Sequence, residues 1–127
     1  MSSPSFPVQS FKDLLVWQRA MDLAVRVHEI TVAMPARHRF SLAEQMNRAA
    51  VSIPSNIAEG AGRRHRGEYR YHVGIARGSV AELETQLLLG VRVEAIPASH
   101  AAEPLRLADE VSRMLLGLAR RLSKPAP

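Results

Sequence analysis

Small and apolar side chains recur at alternating steps of four and three residues along the middle of the chain. This row consists of Tyr69, Val73, Ala76, Val80, Leu83, Leu87 and Gly90. Because such steps return to one face of an α-helix, the row predicts a long helix with a continuous packing seam. A second row, formed by Ile75, Leu88 and Leu89 with small residues between them, predicts that this helix is buried on more than one side.

Two other amphipathic segments lie towards the ends of the chain. The first is predicted to run from the capping residue Ser10 to about Met34, because Pro35 cannot continue a helix. The last is predicted to begin near Pro104, since proline suits the first turn of a helix, and to end before Lys124.

A further helix is predicted between these segments. Residues 41–44 (Ser-Leu-Ala-Glu) have the pattern of a capping box and should begin it. Pro54 is expected to kink or interrupt this helix, because proline lacks an amide donor and clashes with the preceding turn. Gly60 and Gly62 should then end it.

These four helices define the predicted fold class. No alternation of polar and apolar residues persists, and aromatic residues make up only 5% of the 127 residues, so strands are not predicted. Four helices with short connectors favour an all-α, antiparallel up-and-down four-helix bundle. We therefore predict a flexible arm over residues 1–9, the bundle over residues 10–123 and a tail over residues 124–127.

Positive charge is concentrated in one part of the sequence. The chain has a net charge of +5, and the window 37–77 contains eight arginines and three glutamates, which accounts for the whole excess. Guanidinium groups suit bidentate contact with phosphate or carboxylate. The codon preference of a GC-rich genome is an alternative explanation for the use of arginine instead of lysine, but it does not explain the clustering.

The run Arg-Arg-His-Arg at residues 63–66 lies between the second and third predicted helices, where the third helix adds its positive dipole end. We predict that arginines of this region contact the phosphates of a nucleic acid. The predicted contacts are Arg63, Arg64, Arg66, Arg70 and Arg77, with Arg37 and Arg39 as secondary candidates. A solvated turn is the competing interpretation, as is pairing of the arginines with Glu59, Glu68 and acids of neighbouring chains.

Two tyrosines follow this run closely. The rings of Tyr69 and Tyr71 have the chemistry to stack on bases. Because Tyr69 falls on the seam, we prefer a core position for its ring.

The sequence contains no recognisable pattern for catalysis, a cofactor or a metal. Its five histidines are scattered, whereas a di-iron bundle needs Glu-x-x-His motifs on two helices. The chain has no cysteine, and no apolar run approaches the roughly 20 residues that span a bilayer. The first residues also lack the features of a signal peptide. We therefore expect a cytoplasmic protein without enzyme activity or a membrane partner.

Two longer stretches resemble a known bacterial family. They are Ser-Ile-Pro-Ser-Asn-Ile-Ala-Glu-Gly at residues 52–60, followed by Gly62-Arg63-Arg64, and Arg-Gly-Ser-Val-Ala-Glu-Leu-Glu-Thr-Gln-Leu at residues 77–87. The chain resembles the four-helix-bundle proteins encoded in intervening sequences of 23S ribosomal RNA genes, a family related to the accessory variability determinant of diversity-generating retroelements. The resemblance covers roughly residues 10–122.

This resemblance implies an antiparallel four-helix bundle that assembles into a ring-shaped homopentamer. The resemblance implies little about function, because most members of the family have no established biochemical role. The related determinant, however, binds a reverse transcriptase and nucleic acid. Within the motif, Asn56 and Glu59 lie three residues apart beside Arg63. We prefer a structural role for these two polar side chains, in which they satisfy each other or a facing helix, over ligand contact.

The sequence thus leads to a non-enzymatic, oligomeric protein that binds the backbone of RNA or DNA through its arginines. The alternative is a protein-interaction scaffold whose basic edge recruits an acidic protein partner. A protein partner retained after nuclease treatment would favour this alternative.

Overall fold

The computed structural model describes residues 10–125, which form four α-helices and no strand. The helices are α1 (Leu15–Ala33), α2 (Glu44–Ala61), α3 (Arg66–Arg92) and α4 (Ala98–Ser123). A 3₁₀ turn (Phe11–Asp13) precedes α1, and a second 3₁₀ turn (Ala36–His38) and a π-helical segment (Arg39–Ala43) lead into α2. The predicted arm, residues 1–9, and residues 126–127 of the predicted tail lie outside the described residues.

Successive helices pack side by side in opposite directions, and α4 closes the arrangement against α1. Between α2 and α3, Ser52 contacts Ser79, and Asn56 contacts His72. Residue numbers therefore rise on one helix as they fall on the other. Between α1 and α4, Arg19 contacts Glu110, and Ala33 lines the same concavity as Ser99, so this pair of helices is antiparallel as well. The described residues form the predicted up-and-down four-helix bundle.

The predicted seam of α3 lies in the core. Its buried positions are Val73, Ala76, Val80, Leu83, Leu87 and Gly90. Tyr69, the first position of the seam, is half-buried and packs against the same core. Burial of this one face stabilises the helix by removing apolar surface from water.

The second row of α3 has a different environment. Ile75, Leu88 and Leu89 are 36%, 54% and 49% exposed in the single chain. The expected burial on this side is therefore absent within one chain. These side chains lie on the outer surface of α3, where another molecule has access to them.

The second helix begins and continues differently from the prediction. The capping box at residues 41–44 does not form, because Ser41 lies inside the π-helical segment and the N-cap of α2 is Ala43, whose side chain accepts no capping hydrogen bond. Pro54 does not interrupt the helix, and α2 runs through it to Ala61. The proline ring is buried in the core, and this burial offsets the loss of one backbone hydrogen bond.

The fourth helix begins earlier than predicted. Pro97 is its N-cap and Ala98 its first residue, so Pro104 lies inside the helix and not in its first turn. Ala101 and Pro104 are both buried, and their packing holds the additional turns against the core. The preceding turn contains Glu94 with a φ of 62°, a left-handed conformation that is strained for a side chain other than glycine or asparagine.

Gly60 sets the distance between α2 and α3. A Cβ atom at this position would lie 2.9 Å from His72 Cβ and 3.0 Å from Tyr69 Cδ1. The predicted role of Gly60 in ending the helix is wrong, because it is a buried residue inside α2, two residues before the C-cap, Gly62. Its missing side chain allows the end of α2 to lie against the start of α3.

Candidate nucleic-acid interface

One end of the bundle collects four chain segments: the turn before α1, the end of α2, the start of α3 and the end of α4. We call it the basic end and define it by eight exposed cationic residues, Lys12, Arg63, Arg64, Arg66, Arg70, Arg120, Arg121 and Lys124. Three acidic residues share these segments, Asp13, Glu59 and Glu68. Eight charges against three leave +5, the net charge of the whole chain, so the other nine basic and nine acidic residues cancel.

The positive potential of this end comes from side chains and not from helix dipoles. Two helix N-termini and two helix C-termini meet here, so their partial charges of opposite sign largely cancel. The predicted contribution of the α3 dipole is therefore offset by the adjacent C-termini of α2 and α4. Only the guanidinium and ammonium groups remain as a net source of charge.

Arg66 and Arg70 fasten the start of α3 to the end of α4. Arg66 donates from Nη2 to the carbonyl oxygen of Arg121, and Arg70 donates from Nη1 to that of Leu122 at 3.3 Å. Carbonyls in the last turn of a helix lack partners within the helix, and cations are favoured beside them. These two predicted phosphate contacts thus have a structural role first, with the other N–H groups of each guanidinium still available.

The remaining cations of the basic end differ in their pairing. Arg63 forms an ion pair with Glu59, with Nη2 and Oε2 3.0 Å apart, so the alternative prediction of pairing holds for this residue. Among the described residues, no carboxylate lies within 4.0 Å of the charged groups of Arg64, Arg120 or Arg121. These three arginines are the ones best placed to accept an anion.

The structure separates the other predicted contacts from this end. Arg77 lies further along α3, eleven residues after Arg66 and about 16 Å along the helix axis. Arg37 and the backbone of Arg39 lie before α2, at the opposite end of the bundle. The 18 residues of α2 span about 27 Å between that end and Arg63. The predicted set of seven arginines is therefore not one surface.

Sequence reasoning missed the contribution of the last helix. Arg120, Arg121 and Lys124 are about 55 residues from the arginine run in sequence. The hydrogen bonds from Arg66 and Arg70 to the carbonyls of Arg121 and Leu122 nevertheless hold this end of α4 beside the start of α3. Two signals were present: the cationic end of the fourth helix and the up-and-down topology. Together they place the end of α4 beside the start of α3.

A model of the 23S rRNA-intervening sequence protein family matches residues 12–117 of the chain. The chain belongs to this family. None of the proteins with curated functions matches it. The family match includes the end of α2 and the start of α3, whereas Arg120, Arg121 and Lys124 lie beyond it.

A solved structure supports the fold assignment. The chain is similar to a protein of unknown function from the S23 ribosomal protein family of Bacteroides thetaiotaomicron, with a TM-score of 0.77 and 22% sequence identity. The match covers 84% of this chain and 96% of that protein. At this identity the likeness establishes the shared helical fold.

The motif that carries the family resemblance contains a line of polar contacts between α2 and α3. Asn56 donates to the carbonyl oxygen of Ser52 at 2.9 Å, and its Oδ1 lies 3.0 Å from Nδ1 of His72. Ser79 donates to the hydroxyl of Ser52 at 2.9 Å. Asn56 thus has the contacts of the structural role that we preferred. Glu59 differs from the expected buried pattern, because it is exposed and pairs with Arg63.

The two tyrosines near the basic end have opposite environments. Tyr69 is half-buried, and this burial raises the pKa of its hydroxyl, an effect that Arg121 partly opposes. Tyr71 is 66% exposed, the largest exposed fraction among the large apolar and aromatic side chains of the described residues. The preferred core position of Tyr69 is therefore supported, and Tyr71 is the tyrosine available at the surface.

Other kinds of site receive no support from the described residues. Between Ser10 and Pro125, no three histidine, aspartate or glutamate side chains converge in a way that would hold a metal ion. None of the helices described here combines the length and apolar character needed to cross a bilayer.

Proposed function

We propose that this protein is a non-enzymatic nucleic-acid-binding protein that holds the phosphate backbone of RNA or DNA at its basic end. The main observation behind this proposal is that the whole excess of positive charge is concentrated at one end of the bundle. Arg64, Arg120 and Arg121 are the principal contacts, and Arg63, Arg66 and Arg70 add donors that their structural partners leave unused. Contacts to phosphate carry no sequence information, so binding is largely independent of sequence.

Fixed geometry strengthens this role. Arg66 and Arg70 are held by the end of α4 and Arg63 by Glu59, so these side chains lose little further freedom when they bind an anion. Arginine, which dominates the basic end, offers a planar fork of donors that matches two phosphate oxygens.

Assembly of several copies multiplies the charge. The outer surface of α3 exposes Leu88 and Leu89, and no atom lies within 4 Å of a Cβ built at Gly74 or Gly78. A helix of another copy therefore has close access to the α3 backbone beside an apolar row. In the homopentameric ring implied by the family resemblance, five chains carry a net charge of about +25.

The oligomeric state is measured by multi-angle light scattering over a range of concentrations. A stable oligomer that dissociates in the Leu88→Asp/Leu89→Asp variant supports assembly through α3. A wild-type monomer at every concentration contradicts it, and nucleic-acid binding by the monomer would still be testable.

The salt dependence of binding tests the proposed function. Three to six phosphate contacts to a single strand predict that affinity falls about 20- to 300-fold between about 50 and 200 mM salt. Fluorescence anisotropy of labelled RNA and DNA strands of about 16 nucleotides measures this change. Absent binding of both strands, or affinity that does not change with salt, contradicts the proposal. An acidic protein retained from nuclease-treated lysate would then favour the scaffold alternative.

A further inference from the structure

Tyr71 lies in a surface concavity beside the arginine run. This concavity, the Tyr71 pocket, has a volume of about 330 Å³ and is lined by Arg63, Gly67, Glu68, Tyr71 and His72. Its volume is at the lower end of the range of small-ligand sites. Gly67 contributes to the open shape, because no atom lies within 4 Å of a Cβ built at this position.

The aromatic part of the pocket is supported from behind. The rings of Tyr71 and His72 meet edge to face, with centroids 5.4 Å apart and an interplanar angle of 77°. His72 is itself held by Asn56. An exposed aromatic ring with a fixed neighbour is a suitable stacking platform, because a tyrosine ring has few rotatable bonds to immobilise.

The hydrogen bonds of Asn56 define the polar edge of this platform. Its Nδ2 donates to the carbonyl oxygen of Ser52, so its Oδ1 is the atom that faces His72. An amide oxygen only accepts, which requires the proton of neutral His72 to be on Nδ1. The Nε2 atom of His72 is then a hydrogen-bond acceptor that no described residue uses.

The charges around the pocket distinguish a base from a phosphate. The Glu68 carboxylate disfavours an anion inside the concavity and is able to accept hydrogen bonds from exocyclic amines of a base. Arg63 lies at the same pocket, and Arg64 and Arg66 follow within three residues. A nucleotide thus meets acceptors and an aromatic ring in the pocket, and cations for its phosphates beside it.

We propose that the Tyr71 pocket stacks an unpaired nucleobase, so that the protein prefers single-stranded nucleic acid to duplex. Bases inside a duplex are stacked on each other and present no free face, whereas unpaired bases stack on aromatic side chains. This inference rests on the proposed function, because the basic end supplies the contacts to the backbone. Stacking adds a second contribution to the binding free energy, which depends on the base and not on the salt concentration.

The test compares three oligonucleotides of equal length: a single strand, its duplex and an abasic strand that retains only the sugar-phosphate backbone. RNA and DNA versions of the single strand and the duplex separate a preference for unpaired bases from a preference for the sugar. We expect the wild-type protein to bind the single strand about 5- to 150-fold more tightly than the abasic strand. Tyr71→Ala should bind the single strand and the abasic strand with about equal affinity. Tyr71→Phe should keep the wild-type preference for the single strand.

Val51→Ala is the matched control, because Val51 is also an exposed apolar residue, on α2 and remote from the basic end. It should leave the ratio unchanged. Circular dichroism and light scattering of each variant show whether the fold and oligomeric state persist. Equal affinity of the wild type for the abasic and base-containing strands overturns the stacking site, as does a Tyr71→Ala variant with an unchanged ratio. The absence of binding to all oligonucleotides contradicts the proposed function itself, which keeps the two failures distinct.

Discussion

The basic end and the groove between α1 and α4 are both rich in arginine, but their charges are arranged differently. The groove, of about 410 Å³, is lined by Arg19, Arg26 and Arg106 together with three carboxylates. Its arginines are paired: Arg19 Nε lies 3.1 Å from Glu110, and Arg106 Nη2 lies 2.8 Å from Glu103. At the basic end, by contrast, Arg64, Arg120 and Arg121 have no carboxylate partner among the described residues.

We expect from this difference that pairing, and not the number of arginines, decides which surface attracts an anion. A phosphate entering the groove would have to displace a carboxylate from each guanidinium and would meet the repulsion of that carboxylate. At Arg64, Arg120 and Arg121 it has no carboxylate of the described residues to displace. Exposed ion pairs such as those of the groove contribute little to stability, so their main effect here is to neutralise the surface.

The largest expected effect is the loss of binding when the basic end is reversed in charge. In the variant Arg64→Glu/Arg120→Glu/Arg121→Glu, three lost phosphate contacts predict about 100-fold weaker binding of a single strand at about 0.1 M salt. Anisotropy titration measures the change. The slope of the logarithm of affinity against the logarithm of salt concentration should become less steep as well.

The control for this variant reverses Arg37, Arg48 and Arg92, which are exposed and lie away from the basic end. Both triple variants lower the net charge of the chain from +5 to −1. If the two lose affinity equally, total charge and not the basic end governs binding.

A second prediction concerns the contact that brings α2 against α3. Gly60→Ala should destabilise the fold by about 1–3 kcal/mol, because its Cβ would lie within 3.0 Å of His72 and Tyr69 side-chain atoms. Gly67→Ala, at a helical position with open space, should be neutral or stabilising by up to about 1 kcal/mol. Urea denaturation followed by circular dichroism compares them. Equal stability of the two variants would show that the close approach of α2 to α3 does not require glycine at position 60.

The third prediction converts the groove into a second anion-binding surface. Asp22→Asn/Glu103→Gln/Glu110→Gln removes the carboxylate partners of Arg19 and Arg106, leaves Arg26 paired with Glu29, and raises the net charge from +5 to +8. We expect several-fold tighter binding of nucleic acid and a steeper salt slope. Affinity identical to that of the wild type would mean that ion pairing is not what prevents the groove from binding nucleic acid.

The smallest effects are the pH responses of two glutamates. The hydrogen bond from Arg106 holds the pKa of Glu103 below its usual 4.5, so the stabilising effect of this pair is present at neutral pH. It is lost as the pH falls through the lowered folded-state pKa. Burial, with the nearby Asp109, raises the pKa of Glu84. This carboxylate therefore opposes folding at neutral pH, and its protonation at acid pH relieves that cost.

Glu103→Gln should thus lower the melting temperature slightly at pH 7, and Glu84→Gln should raise it slightly. Both differences from the wild type should disappear in acid. Thermal denaturation across pH 3–8 measures them. A difference for either variant that stays constant across this range would exclude titration of the carboxylate as its cause.

Much of the bundle was predictable because a helix has a fixed period. The seam of α3 was identified correctly at its buried positions, since steps of three and four residues reach one face whatever the surroundings. Helix ends were less predictable. Local backbone preference predicts that Pro54 interrupts a helix and that Pro104 begins one. Both are buried inside helices, because packing against the core overrides that preference.

The candidate site was predictable only in part, for a related reason. The sequence groups Arg63, Arg64, Arg66 and Arg70 because they are close along the chain. It offers the pair of Arg63 with Glu59 as an alternative, but it contains no signal for the hydrogen bonds from Arg66 and Arg70 to the carbonyls of α4. Arg37 and Arg39 are near this group in sequence, but the length of α2 places Arg37 and the backbone of Arg39 at the other end of the bundle.

The sequence by itself determined that this chain is helical, which face of its longest helix is buried, and the +5 charge it carries. These properties follow from composition and local periodicity. Only the tertiary structure decided where that charge acts, because the antiparallel packing of α3 and α4 brings Arg120, Arg121 and Lys124 beside the arginine run. Electrostatic interaction depends on distance in space and on the nearest opposite charge, and neither is a function of distance along the chain.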